Sequence, residues 1–203
     1  MHARINMLAG DPAMLDEATR HLEETVRPHV EGQRGNRGIA CLINADLGTC
    51  VIASYWDSAD AMTVSEQAVE VSRKEITELM RGSVTVEQYD VPVFLRRSRP
   101  GGGAGVRFAR IECPPGQIDA FIETFRSTAV PVLTDMRGLA SAQLLTDRTS
   151  GRCIVITAWE DAAALAASRA DTARQRADAA AAMHLQVRAV EEYTLVFTSV
   201  RDS

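Results

Sequence analysis

The stretch "CVIASYWDSADAM", Cys50 to Met62, returns 103 residues later as "CIVITAWEDAAAL", Cys153 to Leu165. Each begins as an apolar, β-branched run, reaches a tryptophan, and passes through an acidic residue into Ser58 or Asp161. Serine and aspartate there are N-cap residues, so both stretches predict a strand that ends at tryptophan and a helix that starts three residues later. A strand-to-helix junction repeated at one fixed offset predicts a duplicated unit.

The repeat extends outward in both directions. Pro28 recurs as Pro131 and Ser65 as Ser168, "NRGIA" at 36–40 matches "MRGLA" at 136–140, and "VEQY" at 86–89 matches "VEEY" at 190–193. Ala3-Arg4-Ile5 matches Ala109-Arg110-Ile111, which sets Glu112 opposite Asn6. Between the copies lies "RRSRPGGGAG", a linker by composition. The division expected is therefore 1–95, a linker over 96–105, and 106–203. The glycine run precedes a strand and no lysine-serine pair follows it, so it is no phosphate-binding loop.

Each copy reads strand, helix, strand, strand, helix, strand. Asp11-Pro12 opens the first helix, whose apolar stripe is Leu15, Ala18, Leu22, Val26 and Val30; its counterpart is Ile118, Phe121, Phe125, Ala129 and Val132. Pro28 and Pro131 are expected to kink or end these helices. Hairpins turn at Asp46-Leu47-Gly48 and across 147–152. The second helices carry small, polar stripes, Met62, Ser65, Val69, Ser72, Ile76, Leu79 and Leu165, Ser168, Thr172, Ala179, Met183. A βαββαβ unit is a ferredoxin-like α+β fold with both helices on one face of the sheet. The hairpin strands nonetheless look buried on both faces, and the second copy is the expected cover.

Composition narrows the function classes. A net charge of -5 disfavours a nucleic-acid partner, and 46% apolar content supplies a core. Residues 1–95 hold 8 basic and 15 acidic side chains, and the remainder 14 and 12, so the copies carry -7 and +2. No apolar run reaches the length of a membrane span, and no secretory leader pattern opens the chain, so a cytoplasmic location is expected. Cys41, Cys50, Cys113 and Cys153 have no zinc-site spacing and predict buried free thiols, with no metal or other cofactor.

The segment "MRGLASAQLLTDRTSGRCIVITAWEDAAAL" at 136–165 resembles the central part of the dimeric α+β-barrel superfamily, and within it the antibiotic-biosynthesis-monooxygenase-like (ABM) domains. The first copy resembles them more loosely, through Gly38, Asp46, Gly48, Trp56 and Asp57. The resemblance implies two ferredoxin-like domains forming an intramolecular dimeric α+β barrel, an internal pseudo-dimer, with further homo-oligomerisation open. It also implies a pocket between sheet and helices for a small hydrophobic or aromatic molecule, and oxidation of that molecule without a cofactor. The alternative is a non-catalytic ligand-binding or structural barrel. In the haem-degrading branch the resemblance implies an asparagine on strand one, a tryptophan on strand three and a histidine on the second helix. Asn6 and Trp56 match the first two, but no histidine lies between His29 and His184, so haem cleavage is disfavoured.

The candidate catalytic residues are thus Asn6 and Trp56, and the candidate ligand-binding residues Met62, Ser65, Val69, Trp159, Ser168 and Arg169. Each has a structural reading beside the functional one: the tryptophans as core, Asn6 as a satisfied polar group, the small stripes as close helix-sheet packing. Arg4 and Arg110 are expected to pair with Glu87 or Glu191, and His21 and His29 to be solvated. Arg169 is the candidate anion contact of the second copy, where the first has Glu66. The first copy is expected to hold the more polar pocket.

Overall fold

A computed structural model describes residues 1–201. The chain orders as β1 (His2–Ala9), α1 (Leu15–His21), α2 (Arg27–Glu31), β2 (Asn36–Asn44), β3 (Thr49–Trp56), α3 (Ala59–Val64), α4 (Glu66–Leu79) and β4 (Ser83–Arg96). The same series follows as β5 (Gly105–Glu112), α5 (Ile118–Thr124), α6 (Val130–Asp135), β6 (Leu139–Thr146), β7 (Arg152–Trp159), α7 (Ala162–Ala167), α8 (Arg169–Met183) and β8 (Gln186–Thr198). In hydrogen-bonded order the strands run β1, β3, β2, β8, β5, β7, β6, β4 as a closed barrel. The fold is α+β, built from two ferredoxin-like units.

By contacts the compact units are Met1–Tyr89 with Thr194–Ser203, and Asp90–Tyr193, so β4 and β8 each contribute a segment to both. In the first unit β3 lies between β1 and β2, all antiparallel, and the end of β8 pairs with β2 from Ala40↔Thr198 to Ile43↔Thr194. Its core gathers Leu8, Leu22, Ile39, Trp56, Ile76, Met80 and Phe197. In the second unit β7 lies between β5 and β6, and the end of β4 pairs with β6 from Asp90↔Thr146 to Arg96↔Ser141. Phe121, Phe125, Leu133, Leu144, Trp159, Leu165 and Leu185 form its core.

Local sequence explains the matching details. Ser58 and Asp161 accept from the amides of Ala61 and Ala164, capping α3 and α7. Arg81 and His184, one residue beyond Met80 and Met183, both take positive φ, at 51° and 53°, and end the long helices. Gly35 and Gly138 sit at φ 80° and 78°, where an added Cβ would meet Ala61 and Ala164 at 2.7 Å. That close approach seats α3 and α7 against the turns before β2 and β6.

Two expectations need correction here. The helices do not end at Pro28 or Pro131: a π-helical turn, Leu22–Val26 or Phe125–Ala129, widens the backbone just before each proline, and the helix resumes as α2 or α6. Downstream of that turn the second stripe lands on Leu133, 3% exposed, while Val132 is 46% exposed.

The strand-one alignment also shifts. Arg4 pairs with Ser54 across β1–β3, and Arg107, not Arg110, pairs with Thr157 across β5–β7. The 103-residue offset therefore holds through strand one, and Asn6 corresponds to Ala109 rather than Glu112. Arg110 does bond Glu191, at 2.9 Å, but Arg4 turns to α3 and α4 instead.

Candidate functional site

Arg4 and Arg107 leave their strands for the interior, where each is almost fully buried. Arg4 donates to the Ser65 hydroxyl at 3.1 Å and to the Met62 carbonyl, pairs with Glu66 at 2.8 Å, and lies 5.7 Å from the Trp56 ring centre. Arg107 donates to the Ser168 hydroxyl at 2.9 Å, the Thr172 hydroxyl at 2.7 Å and the Leu165 carbonyl at 2.9 Å. Its carboxylate partner is Glu192, at 2.8 Å, from β8. The small stripe residues Ser65 and Ser168 thus serve as receivers for buried guanidinium groups, one at the start of each long helix.

Around this shared motif the copies diverge in charge. In the first unit Arg73 donates to Glu66 at 2.6 Å and to Asn6 Oδ1 at 2.9 Å, while Asn6 Nδ2 reaches the Ile52 carbonyl at 3.4 Å. The hydrogen bond from Arg73, then the Arg4 charge, holds the Glu66 carboxyl below its ordinary value. In the second unit Arg169 occupies the Glu66 position, half out in solvent, and binds Glu192 at 2.6 Å. The hydrogen bond from Arg169, then those from Arg107, lower the Glu192 carboxyl. Arg169 is therefore engaged at the surface with a carboxylate of its own unit.

The space left between sheet and helices differs far more. The first unit encloses a cavity of only about 40 Å³, lined by Arg4, Asn6, Val69, Ser72, Arg73 and Ile76 among others. It is of water size. Trp56 is fully buried, its Nε1 donating to Ser54 at 3.1 Å, and neither Trp56, Met62 nor Ser65 lines that cavity. The polar side of that cavity is Arg4, Asn6, Ser54, Ser72 and Arg73.

The second unit holds a cleft of about 1020 Å³ between the α5–α6 helix and α8. Its apolar lining includes Phe121, Phe125, Val132, Met136, Trp159 and Met183, and its charged lining Asp135, Asp171, Asp178, Arg137 and Arg174. Ser168 lines it and Arg169 does not. Trp159 Nε1 donates to Thr157 at 3.1 Å, which fixes the fully buried indole where it lines the cleft. A cleft of this size and apolar content matches the upper range of small-molecule sites.

Why the second unit opens can be read position by position. Ile76, 1% exposed in the first core, becomes Ala179, and the packed Leu79 becomes Ala182. His29 Nε2 lies 3.0 Å from the Ala68 carbonyl, a link between the first unit's helices, and His21 Nε2 stands 3.8 Å from Glu75. Val132, Asp171, Thr124 and Asp178 stand at those positions in the second unit, and they line the cleft. The sequence signal was present in the alanine-rich α8, but small residues read equally well as close packing.

Beneath the cleft lies a second, smaller space of about 70 Å³, lined by Arg107, Ala109, Thr157, Thr172, Gln175 and Arg176 with an apolar remainder. Phe121, Phe125, Ala129, Gln175 and Ala179 line both spaces. Burial, then the charge of Arg107, pushes the Arg176 guanidinium below its ordinary value.

Comparison with known proteins agrees with this fold. The profile of the antibiotic biosynthesis monooxygenase family matches residues 106–180, the stretch that carries most of the cleft. The uncharacterized protein Rv2557 of Mycobacterium tuberculosis is 31% identical over 154 residues, 76% of this chain and 69% of that protein. The chain belongs to the antibiotic biosynthesis monooxygenase (ABM) family. Two solved structures share the fold along nearly the whole chain. A putative monooxygenase from Lactobacillus acidophilus superposes with TM-score 0.70 at 12% identity, covering 98% of this chain and 95% of its own. An anthrone oxidase-like protein superposes with TM-score 0.68 at 16% identity, covering 97% and 92%. Within this ABM chain no helix among the described residues is long and apolar enough to cross a membrane.

Proposed function

We propose that this chain binds a flat, largely apolar small molecule in the cleft of its second unit and oxidises it as a cofactor-independent monooxygenase. The observation that carries the reading is the cleft itself: about 1020 Å³, floored by Phe121, Phe125, Met136, Trp159 and Met183, with carboxylates and guanidinium groups as its polar lining. The anthrone oxidase-like neighbour supports an aromatic substrate class through its name and fold.

The chemistry asks little of the protein. A carboxylate of the lining, Asp135, Asp171 or Asp178, takes the proton from an activated ring CH₂, and the carbanion passes an electron to O₂. Recombination forms the C–O bond of a peroxide, and loss of water leaves a carbonyl, so CH₂ and O₂ become C=O and H₂O. The apolar floor excludes water, and Arg137 or Arg174 offsets developing anionic charge. Asn6 and Trp56 then serve the first unit's structure, since both polar ends of Asn6 are already bonded and Trp56 lies in the core.

The test uses anthrone with the whole chain. In a Trp56→Phe background, quenching of Trp159 reports binding, while an oxygen electrode and the quinone absorbance report turnover. One O₂ consumed per quinone formed, lost in a cleft-filling Ala182→Phe variant, is the expected result. Quenching without O₂ uptake would reduce the protein to a ligand-binding barrel; no quenching at all would remove the cleft reading.

A further inference from the structure

The two copies treat one arginine differently. Arg73 of the first unit and Arg176 of the second occupy the same place on the long helix, 103 residues apart. Arg73 finds two acceptors, Asn6 Oδ1 at 2.9 Å and Glu66 Oε1 at 2.6 Å, and keeps only Nη2 buried and unbonded. In the second unit both acceptors are gone: Ala109 replaces Asn6 and Arg169 replaces Glu66. Among the described residues no hydrogen bond or ion pair holds Arg176. The carboxylate whose field reaches it, Glu192, is already shared by Arg107 and Arg169.

Three guanidinium groups thus gather on one carboxylate, where the first unit sets two on Glu66. Next to Arg176, the Gln175 Nε2 is buried and has no acceptor. Both residues line the 70 Å³ cavity together with Ala109, which stands where Asn6 supplies an acceptor in the first unit. A buried donor left without an acceptor costs about 1–3 kcal/mol, so the Gln175 amide, beside a guanidinium that no acceptor holds, marks a place that an acceptor would fill. Gln175, Phe121, Phe125, Ala129 and Ala179 form the wall that this cavity shares with the cleft.

We propose that the cavity under the cleft is an anion subsite, in which Arg176 and the Gln175 amide receive an anionic oxygen, carboxylate or phenolate, of the molecule bound in the cleft. This rests on the cleft reading above and adds the substrate class: an acidic aromatic, its charged group inserted between Phe121 and Ala179. Arg107 contributes positive potential while its own donors stay with Glu192, Ser168, Thr172 and the Leu165 carbonyl. Arg169, exposed and bound to Glu192, does not line the cavity.

Two measurements separate the subsite from the cleft. Crystals of the whole chain soaked in bromide should show an anomalous peak within hydrogen-bond reach of Arg176, lost in Arg176→Gln and in Ala109→Asn, which restores the first unit's acceptor. Titration with 9-anthracenecarboxylate and the neutral 9-anthracenemethanol should give about ten- to a hundredfold tighter binding of the acid, as a charged hydrogen bond supplies. Arg176→Gln should equalise the two probes and leave the alcohol's affinity as it was. Its melting temperature should hold or rise, because an unmatched charge has been removed. A cavity free of bromide at saturating salt overturns the subsite, as does an acid preference that survives Arg176→Gln and vanishes in Arg137→Gln or Arg174→Gln. Bromide beside Arg176 with neither probe bound would keep the subsite and sink the cleft.

Discussion

Exchanging one residue between the copies tests why the cleft exists. Ala179→Ile installs in the second unit the side chain that Ile76 supplies to the first, where it is 1% exposed. Ala179 lines both the cleft and the cavity below it, so three added carbons enter space that is now empty. Full burial would contribute about 0.8 kcal/mol per carbon. Half burial, as at this position, reduces the sum to about 1.2 kcal/mol, and the β-branched side chain costs the helix about 0.4 kcal/mol. The net gain of about 0.8 kcal/mol raises Tm by roughly 2–3 °C in a chain of this size. The reciprocal change, Ile76→Ala, removes a packed side chain and should cost about 2–5 kcal/mol. Calorimetry of both variants, with 9-anthracenemethanol titrated into the first, checks the signs: one stabilised and weakened at least tenfold for the probe, the other destabilised. A drop of several degrees in Ala179→Ile, or unchanged probe affinity, would refute the account, because it would mean the space is already filled or not used.

Three further outcomes follow from the structure. Glu66 and Glu192 have carboxyl pKa values below their unfolded ones, so the stability they give is complete above about pH 4.5 and is lost as pH falls through the folded values; Glu192→Gln should lower Tm more at pH 7 than at pH 3 in a pH-resolved melt. All four thiols are buried, and burial pushes Cys153 up to about 12, so a thiol reagent at pH 8 should label none in the native chain and four after denaturation; rapid native labelling would contradict the packing. Residues 1–95 alone lack the Thr194–Thr198 segment that pairs with β2, leaving an open sheet edge, so gel filtration should show aggregate or self-association rather than a stable monomer.

The strand-to-helix junctions at Trp56 and Trp159, the N-caps Ser58 and Asp161 and the hairpin glycines were legible because each is a local signal that repeats. Strand one is ambiguous in the sequence because "ARI" occurs at both 3–5 and 109–111, an identity that competes with the constant offset pairing Arg4 with Arg107. The local identity masks the buried arginine motif and aligns Glu112 where strand pairing sets Ala109. The cleft was hidden for another reason: Ala179 and Ala182 mark missing volume, and only the backbone position of α8 decides whether a helix closes over small residues or stands away. Sequence shows which atoms are lacking and leaves open where the neighbours settle.

The crossed origin of the carboxylates that answer the buried arginines has a genetic consequence. Arg4 takes its counter-charge from the helix, Glu66, and Arg107 takes its own from the strand, Glu192. Strand pairing sets Gln88 at the place in β4 that Glu192 holds in β8. A recombination event that copied the second helix over the first would therefore bring Arg169 and Arg176 to Arg4 with only Gln88 on the strand, three cations and no carboxylate at one site. The opposite conversion would set the carboxylates of Glu66 and Glu192 against the guanidinium groups of Arg73 and Arg107, two of each sign. The place of that one charge therefore makes overwriting one-directional: the first half's helix could stand in the second half with its charges matched, and the second half's helix could not stand in the first.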